Sequence, residues 1–510
     1  MEHGKVYLIG AGPGDAGLMT IKGIQCLRQA QVVIYDNLAS ASLLNEVSPD
    51  ATLIYAGKRA GSHYLKQEET NTLIVKYALE GKIVARLKGG DPFIFGRGGE
   101  EGLALAARGI DFEVVPGISS AYAVAAYQGI PVTHRTLASS FHVITGHEDA
   151  KKSESVLDFE TLAREEGTLV FLMGLKNLPT ISNKLIACGK DPKTPAAVMQ
   201  SGTTARQRMA VGTLENIAKL ADSEGIKTPA ITLIGHVASL HEPLDWYSRK
   251  PLAGRSVLLT ATKPMTDAMA KRLSELGAQP VNFSLIRTAP IHSAAVDQAF
   301  GNLAHYDWIV FTSKNGVDLF FEELKARRLD IRSLAHLRFA VIGDGTARAL
   351  EAHGIFDPYM PEHFSSCDMA RSWVPLLKAE ERVLLMRARE ASPELGVALD
   401  KAGIAYDAVA LYETLVDERK SEELMRTLPL TDVVTFCSAS AVRAFCRMLG
   451  GGLTEAGTDG DLAQYLEQLG VRIVCIGPVT ARAADQCGLK VHKIAETYNI
   501  DGMIDCIAAI

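Results

Sequence analysis

Short apolar runs alternate with stretches of helical period along the whole chain, the pattern of an α/β protein. The alternation predicts a strand at Lys5–Ile9, a helix over Gly17–Gln29 and a second strand at Val32–Tyr35. A further strand over Lys82–Leu87 runs into a glycine-rich loop. Val114, Pro116 and Gly117 close a first lobe, and a helix over Ile118–Tyr127 opens a second one. That lobe continues through the apolar runs Phe141–His147 and Thr168–Leu175. Every apolar run is shorter than a membrane-spanning helix requires. From His241 to Arg255 the periodicity lapses, and Pro243, Pro251 and Gly254 mark an interdomain linker.

After the linker the pattern restarts and then echoes itself. Val257–Thr260 resembles Val383–Met386, Asp307–Val317 resembles Asp432–Val442, and Ala340–Leu350 resembles Val474–Ala484. The offsets are 126, 125 and 134 residues, in one order, which predicts two similar α/β lobes from a duplication. Paired lobes commonly bind a ligand in their cleft.

The loop after the Lys82–Leu87 strand carries Gly89, Gly90, Asp91 and Pro92, then Phe93, Phe95 and Gly96-Arg97-Gly98-Gly99. Glycine lets backbone approach a ligand closely, and the carboxyl end of a strand is where open α/β sheets bind small molecules. A second loop, Gly10-Ala-Gly12-Pro13-Gly14-Asp15, has the position of a dinucleotide fingerprint but not its spacing, because Asp15 stands where the third glycine belongs. Pro13 lacks an amide donor, and Asp15 puts negative charge at a helix start, where it is also a natural cap. A neutral or cationic ligand suits such a loop better than a pyrophosphate.

With 510 residues the chain is too long for one core, and its net charge of −6 provides no basic field for nucleic acid. Its eight cysteines are scattered without a C-x-x-C pair, which reads as buried reduced thiols in a cytoplasmic protein rather than a disulfide framework or zinc site.

The segments VYLIGAGPGDAGLMTIKG, VVIYDNLAS, GKRAGSHYLKQEETN, RLKGGDPFIFGRGGEE, VVPGISSA, GIPVTHR, VFLMGL and QSGTTARQR follow one another over residues 5–208. Together they resemble the uroporphyrinogen-III C-methyltransferases, of two-lobed tetrapyrrole methyltransferase fold. The resemblance implies S-adenosylmethionine as methyl donor, no metal, and two methyl transfers to uroporphyrinogen III that yield precorrin-2, on the branch to sirohaem and cobalamin. It places cofactor contacts on Pro13, Gly89, Gly90, Asp91, Ile94, Ser119, Ser120, Met173 and Gly202, and an acid/base pair on Asp36 and Lys58. Outside that context Asp36 reads as a turn cap, Lys58 as a solvated charge and Met173 as core. Where the family often has Arg-Leu-Val-Ser, this chain has Asn37-Leu-Ala-Ser. The substrate is rich in carboxylates, for which Arg59, Arg97 and Arg135 are the expected partners, with Arg86 and Lys88 nearby.

The second half is similar to the uroporphyrinogen-III synthases through its FTS, IGDGTA, LYET and IGPVTA elements. That resemblance implies a bilobal α/β fold whose lobes are joined by two extended connections, here near Val281–Ile291 and Tyr406–Thr414. The expected organisation is therefore a methyltransferase over 1–245, with lobes 1–117 and 118–245, and a synthase over 255–510. Lobe one of the synthase takes 255–285 and 415–510, and lobe two takes 290–410. The implied reaction closes linear hydroxymethylbilane with inversion of the last pyrrole and without a cofactor. Tyr412 matches the family's cleft tyrosine, assigned to hydroxyl loss, and Ser313, Ser438 and Thr480 are expected substrate contacts, with Thr346 the echo of Thr480. Helix capping explains the Ser/Thr residues equally well. The first strand commonly ends Thr-Arg in this family but ends Thr260-Ala261 here; Lys263 or Arg387, the echo of Ala261, is left to supply the charge.

The expectation is thus a bifunctional enzyme, S-adenosylmethionine-dependent C-methyltransferase and lyase, homodimeric through its methyltransferase half by resemblance. Two alternatives stand beside it: a methyltransferase for a later corrin precursor, and an active methyltransferase followed by a non-catalytic bilobal binding module.

Overall fold

The computed structural model describes residues 4–36, 41–48, 50–57, 67–146, 157–455 and 462–510; Lys58 and Arg59 lie outside the described residues. The first sheet holds β1 (Val6–Gly10), β2 (Val32–Tyr35), β3 (Thr52–Tyr55), β4 (Val84–Lys88) and β5 (Phe112–Val115) in the order β3-β2-β4-β1-β5, all parallel. β1 and β2 are mostly apolar runs because crossover helices cover both faces, whereas β4 between them carries Arg86 and Lys88. The helix expected over Gly17–Gln29 is instead two pieces. Asp15 caps a single 3-10 turn, Ala16–Leu18, and Thr20, in extended conformation, restarts the chain as Ile21–Gln29 by accepting a bond from the Gly23 amide. Two polar caps in one apolar-periodic stretch outweigh the period.

The second sheet contains β6 (Phe141–Thr145), β7 (Thr168–Leu172), β8 (Pro195–Gln200), β9 (Arg208–Thr213) and β10 (Ala230–Ile234), ordered β6-β7-β10-β8-β9; only the β6–β7 pair is parallel. The stretch expected as a linker packs against the helix Ser120–Tyr127. Trp246 donates from Nε1 to the Ala126 carbonyl at 2.9 Å, and its ring and that of Tyr247 lie 5.2 and 5.4 Å from the Tyr127 ring.

Next come β11 (Ser256–Leu259) and β12 (Gln279–Asn282). The chain then makes a fourth sheet from β13 (Ile286–Pro290), β14 (Trp308–Phe311), β15 (Arg338–Val341), β16 (Arg382–Ala388) and β17 (Ala405–Val416). It returns to finish the third sheet with β18 (Val433–Phe436), β19 (Arg472–Cys475) and β20 (Lys493–Ile494). The third sheet runs β12-β11-β18-β19-β20 and the fourth β13-β17-β16-β14-β15. Compact units follow the same division: 1–285 with 418–510, and 286–417. Each echo noted in the sequence is a matched strand: β11 with β16, β18 with β14, β19 with β15. The two extended connections are sheet strands over most of their length, β13 pairing antiparallel with β17 from Ile286 opposite Val416 to Pro290 opposite Tyr412.

Among the described residues no helix is long and apolar enough to cross a membrane.

Candidate functional site

The carboxyl ends of β1, β4 and β5 meet at three glycines. A Cβ on Gly117 would stand 2.3 Å from the Gly90 carbonyl oxygen, and one on Gly10 only 2.5 Å from the Gly117 Cα, so the strand ends converge only without side chains. Gly12 and Gly90 exchange backbone bonds of 3.2 and 2.7 Å, which ties the two glycine loops together. Asp91 fastens this junction: its Oδ1 accepts from the Phe93 amide at 2.8 Å and its Oδ2 from the Gly117 amide at 2.9 Å. Ser119 caps the helix Ser120–Tyr127, accepting from the Ala121 amide at 3.2 Å.

Around this junction lies a cavity of about 330 Å³. Pro13, Gly89, Gly90, Asp91, Ile94, Ser119, Ser120, Met173 and Gly202 all line it, as do Asp36 and Arg97. Arg135 sits exposed on a turn and is not part of the lining. Part of the wall comes from residues that sequence reasoning did not select, among them Gln67, Val124, Leu172, Met199, Ser201 and Pro229–Ile231. Phe95, Arg97, Met173 and Ser201 share a further property: each has a positive φ, between 47° and 58°. Left-handed backbone is uncommon for such side chains and gathers at functional sites. Nothing in those residue types announces it.

A buried charge cluster supports the cavity floor. Arg86 on β4 donates from Nη2 to Asp36 Oδ2 at 3.1 Å and from Nε to Glu101 Oε1 at 3.2 Å. Lys88 Nζ and Gln67 Nε2 reach the same Glu101 oxygen at 2.9 and 3.0 Å, and Glu101 Oε2 is buried without a hydrogen-bond partner. Arg86, Lys88 and Glu101 are 6%, 4% and 1% exposed, so these cations are spent on Glu101 and Asp36 rather than offered to a carboxylate in solvent. Burial, then the neighbouring Arg86 charge, pulls the Lys88 ammonium below its ordinary value. Leu172, Met173, Met199 and Ile231 give the cavity an apolar surface, and Asp36 and Asp91 add carboxylates to its lining.

A second cavity, of about 240 Å³, belongs to the fourth sheet. Tyr412 and Ser313 line it, with Thr312, Ile342, Ser366 and Arg387. The hydroxyls of Tyr412 and Ser313 are 2.6 Å apart. A bulge places the tyrosine: Arg387 lies opposite Ala410 but Ala388 opposite Tyr412, so Leu411 is the extra residue. Ser313 also caps the helix Lys314–Ala326 through the Gly316 amide at 3.2 Å, and Ser438 does the same for the helix Ala439–Glu455 through the Ala441 amide. Thr480 and Thr346 are buried in the first turns of their helices. Lys263 is engaged with Glu46 and, at 3.6 Å, with Asp267, which leaves Arg387 as the charge on the cavity wall.

Similarity to known proteins follows the same two-part division. A family model described as tetrapyrrole (corrin/porphyrin) methylases matches residues 5–218, and one described as uroporphyrinogen-III synthase HemD matches 267–505. The porphyrin biosynthesis protein HemD of Ruminiclostridium josui is 39% identical over 100% of this chain and 99% of its own length. An S-adenosyl-L-methionine-dependent uroporphyrinogen III methyltransferase of Methanosarcina barkeri is 53% identical over 48% of this chain and 95% of its own. The crystal structure of a Thermus thermophilus uroporphyrin-III C-methyl transferase complexed with S-adenyl homocysteine is 38% identical, with a TM-score of 0.40 over 46% of this chain and 99% of that one. Matched end to end by the Ruminiclostridium protein and in tandem by the two family models, the chain belongs to the porphyrin-biosynthesis family that joins a tetrapyrrole methylase to a uroporphyrinogen-III synthase.

Proposed function

We propose that the N-terminal half methylates uroporphyrinogen III twice to precorrin-2, and that the C-terminal half makes that substrate from hydroxymethylbilane. The observation that carries the first part is the convergence of all nine expected cofactor contacts on one cavity with Asp36 on its wall. S-adenosylmethionine supplies an electrophilic methyl group there. The glycine backbone at Gly89 and Gly90 lets donor and acceptor come into line, and alignment is a large part of lowering such a barrier. Asp36 accepts the proton that the methylated pyrrole must lose, and Arg86 fixes its orientation. Leu172, Met199 and Ile231 keep water from the reacting carbon. Lys58 completes the proposed acid/base pair, and Arg59, Arg97 and Arg135 meet substrate carboxylates.

In the C-terminal half Tyr412, hydrogen-bonded to Ser313, donates a proton to the departing hydroxyl of the linear substrate, and Arg387 takes a carboxylate. Ser438 and Thr480 contribute hydroxyl contacts to the substrate. The reading includes a homodimer through the methyltransferase half, which sedimentation tests. An anaerobic assay of the purified protein with hydroxymethylbilane and S-adenosylmethionine, read by mass and isomer type, tests both activities. Dimethylated type-III product is expected. Accumulation of unmethylated type-I ring, the product of spontaneous closure, defeats the synthase reading, and unmethylated type-III ring defeats the methyltransferase reading.

A further inference from the structure

The duplication extends beyond the echoes visible in the sequence. In the fourth sheet, β15 leads through Gly343 to the helix Asp344–Glu351, then Tyr359 bridges in parallel to Ala340, and the helix Ser366–Ser372 follows. In the third, β19 leads through Gly477 to the helix Pro478–Gln486, then Lys493 pairs in parallel with Val474, and the helix Ile500–Ala508 follows. Gly343 and Gly477, Ala340 and Val474, and Tyr359 and Lys493 are each 134 residues apart. So are the caps of the closing helices, Ser365 and Asn499, which accept from the Asp368 and Gly502 amides.

At the same offset, directly before each cap, stands an aromatic residue: Phe364 and Tyr498. Each ring lies on the glycine of its own turn. A Cβ on Gly343 would come within 3.3 Å of the Phe364 ring, and one on Gly477 within 3.4 Å of the Tyr498 ring. Yet the two residues are 57% and 66% exposed. An aromatic before a helix cap ordinarily packs onto the fourth helical residue as a hydrophobic staple. Here those residues are Met369 and Met503, both fully buried, and stapling alone does not require rings that keep more than half their surface open. In the fourth sheet, moreover, residues next to the ring along the chain reach a cavity. Ile342 precedes the glycine it covers, Ser366 follows two residues after it, and both line the cavity of Tyr412, Ser313 and Arg387.

We infer that Phe364 and Tyr498 are pyrrole-stacking residues of the synthase half, one in each repeat. The inference rests on the synthase reading above. A pyrrole ring is flat and electron-rich, so it fits an exposed aromatic face supported by backbone.

The test uses the full-length chain with Phe364→Ala, Tyr498→Ala, Phe364→Tyr and Tyr498→Phe. Both alanine variants are expected to raise KM for hydroxymethylbilane about three- to tenfold, the loss of one ring contact. They are also expected to lower the type-III fraction as spontaneous closure competes, while the aromatic swaps keep wild-type values. Because both side chains are exposed, Tm and methylation of supplied uroporphyrinogen III stay unchanged, which separates the effect from misfolding. A wild-type KM and isomer ratio in either alanine variant overturns the inference. Absence of type-III product from the wild-type protein overturns the synthase reading itself.

Discussion

Asp36, Arg86, Lys88 and Glu101 form a chain of contacts in which every charge has an opposite neighbour. Asp36→Ala removes the proton acceptor at the pocket end of that chain. Methyl transfer is expected to fall about 10²- to 10⁴-fold, while S-adenosylhomocysteine binding and ring closure persist; unchanged turnover removes Asp36 from the mechanism. Lys88 leads to a pH prediction. Its folded-state value is lowered by burial, so between that value and the ordinary 10.5 the unfolded chain holds a proton the folded one has released. Stability therefore carries a penalty below that interval that is relieved as pH rises through it. Denaturant titrations across it should show the relief in the wild type and less of it in Lys88→Met. The glycines and Asp91 were legible in the sequence because a tight turn at a strand end has few solutions. The wall from Pro229 to Ile231 was not, since those residues reach the cavity only through the order of the second sheet. Glu101 stood in a motif that was read, but its role depends on three side chains from β4 and the helix Gln67–Leu79.

Strand β17 shows how a local irregularity places a functional group. Its apolar alternation, interrupted by the extra Leu411, brings the Tyr412 hydroxyl to Ser313. Tyr412→Phe is expected to slow ring closure without affecting methyl transfer, at a cost of about 0.5–1.5 kcal/mol for the lost hydrogen bond. A normal closure rate would make Tyr412 a packing residue, a role its place in the sheet core also fits. The helix break at Thr20 was misjudged from periodicity because a single polar contact, the Thr20 cap, decides it, and a single contact leaves no period.

The duplicated halves of the synthase region were legible from three echoes because the repeat is kept at strand-to-helix turns. The aromatic pair escaped notice because Phe364-Ser365-Ser366 and Tyr498-Asn499-Ile500 share shape but no residue. The two cavities lie in different compact units and draw on no common residue. Saturating S-adenosylhomocysteine is therefore expected to stop methylation while type-III ring continues to form from hydroxymethylbilane. Loss of both activities together would show that the sites are not independent.

The interleaving of the third and fourth sheets has a consequence for synthesis on the ribosome. Strand β11 lies inside its sheet, yet of its two neighbours only β12 follows at once; β18, paired with it from Val257 opposite Val433, emerges after the whole of 286–417 has been translated. Throughout that interval an apolar strand has one edge open, the kind of edge that pairs with foreign strands and recruits chaperones. A messenger cut short within the insert would release a nascent chain whose β11 edge has no partner to wait for.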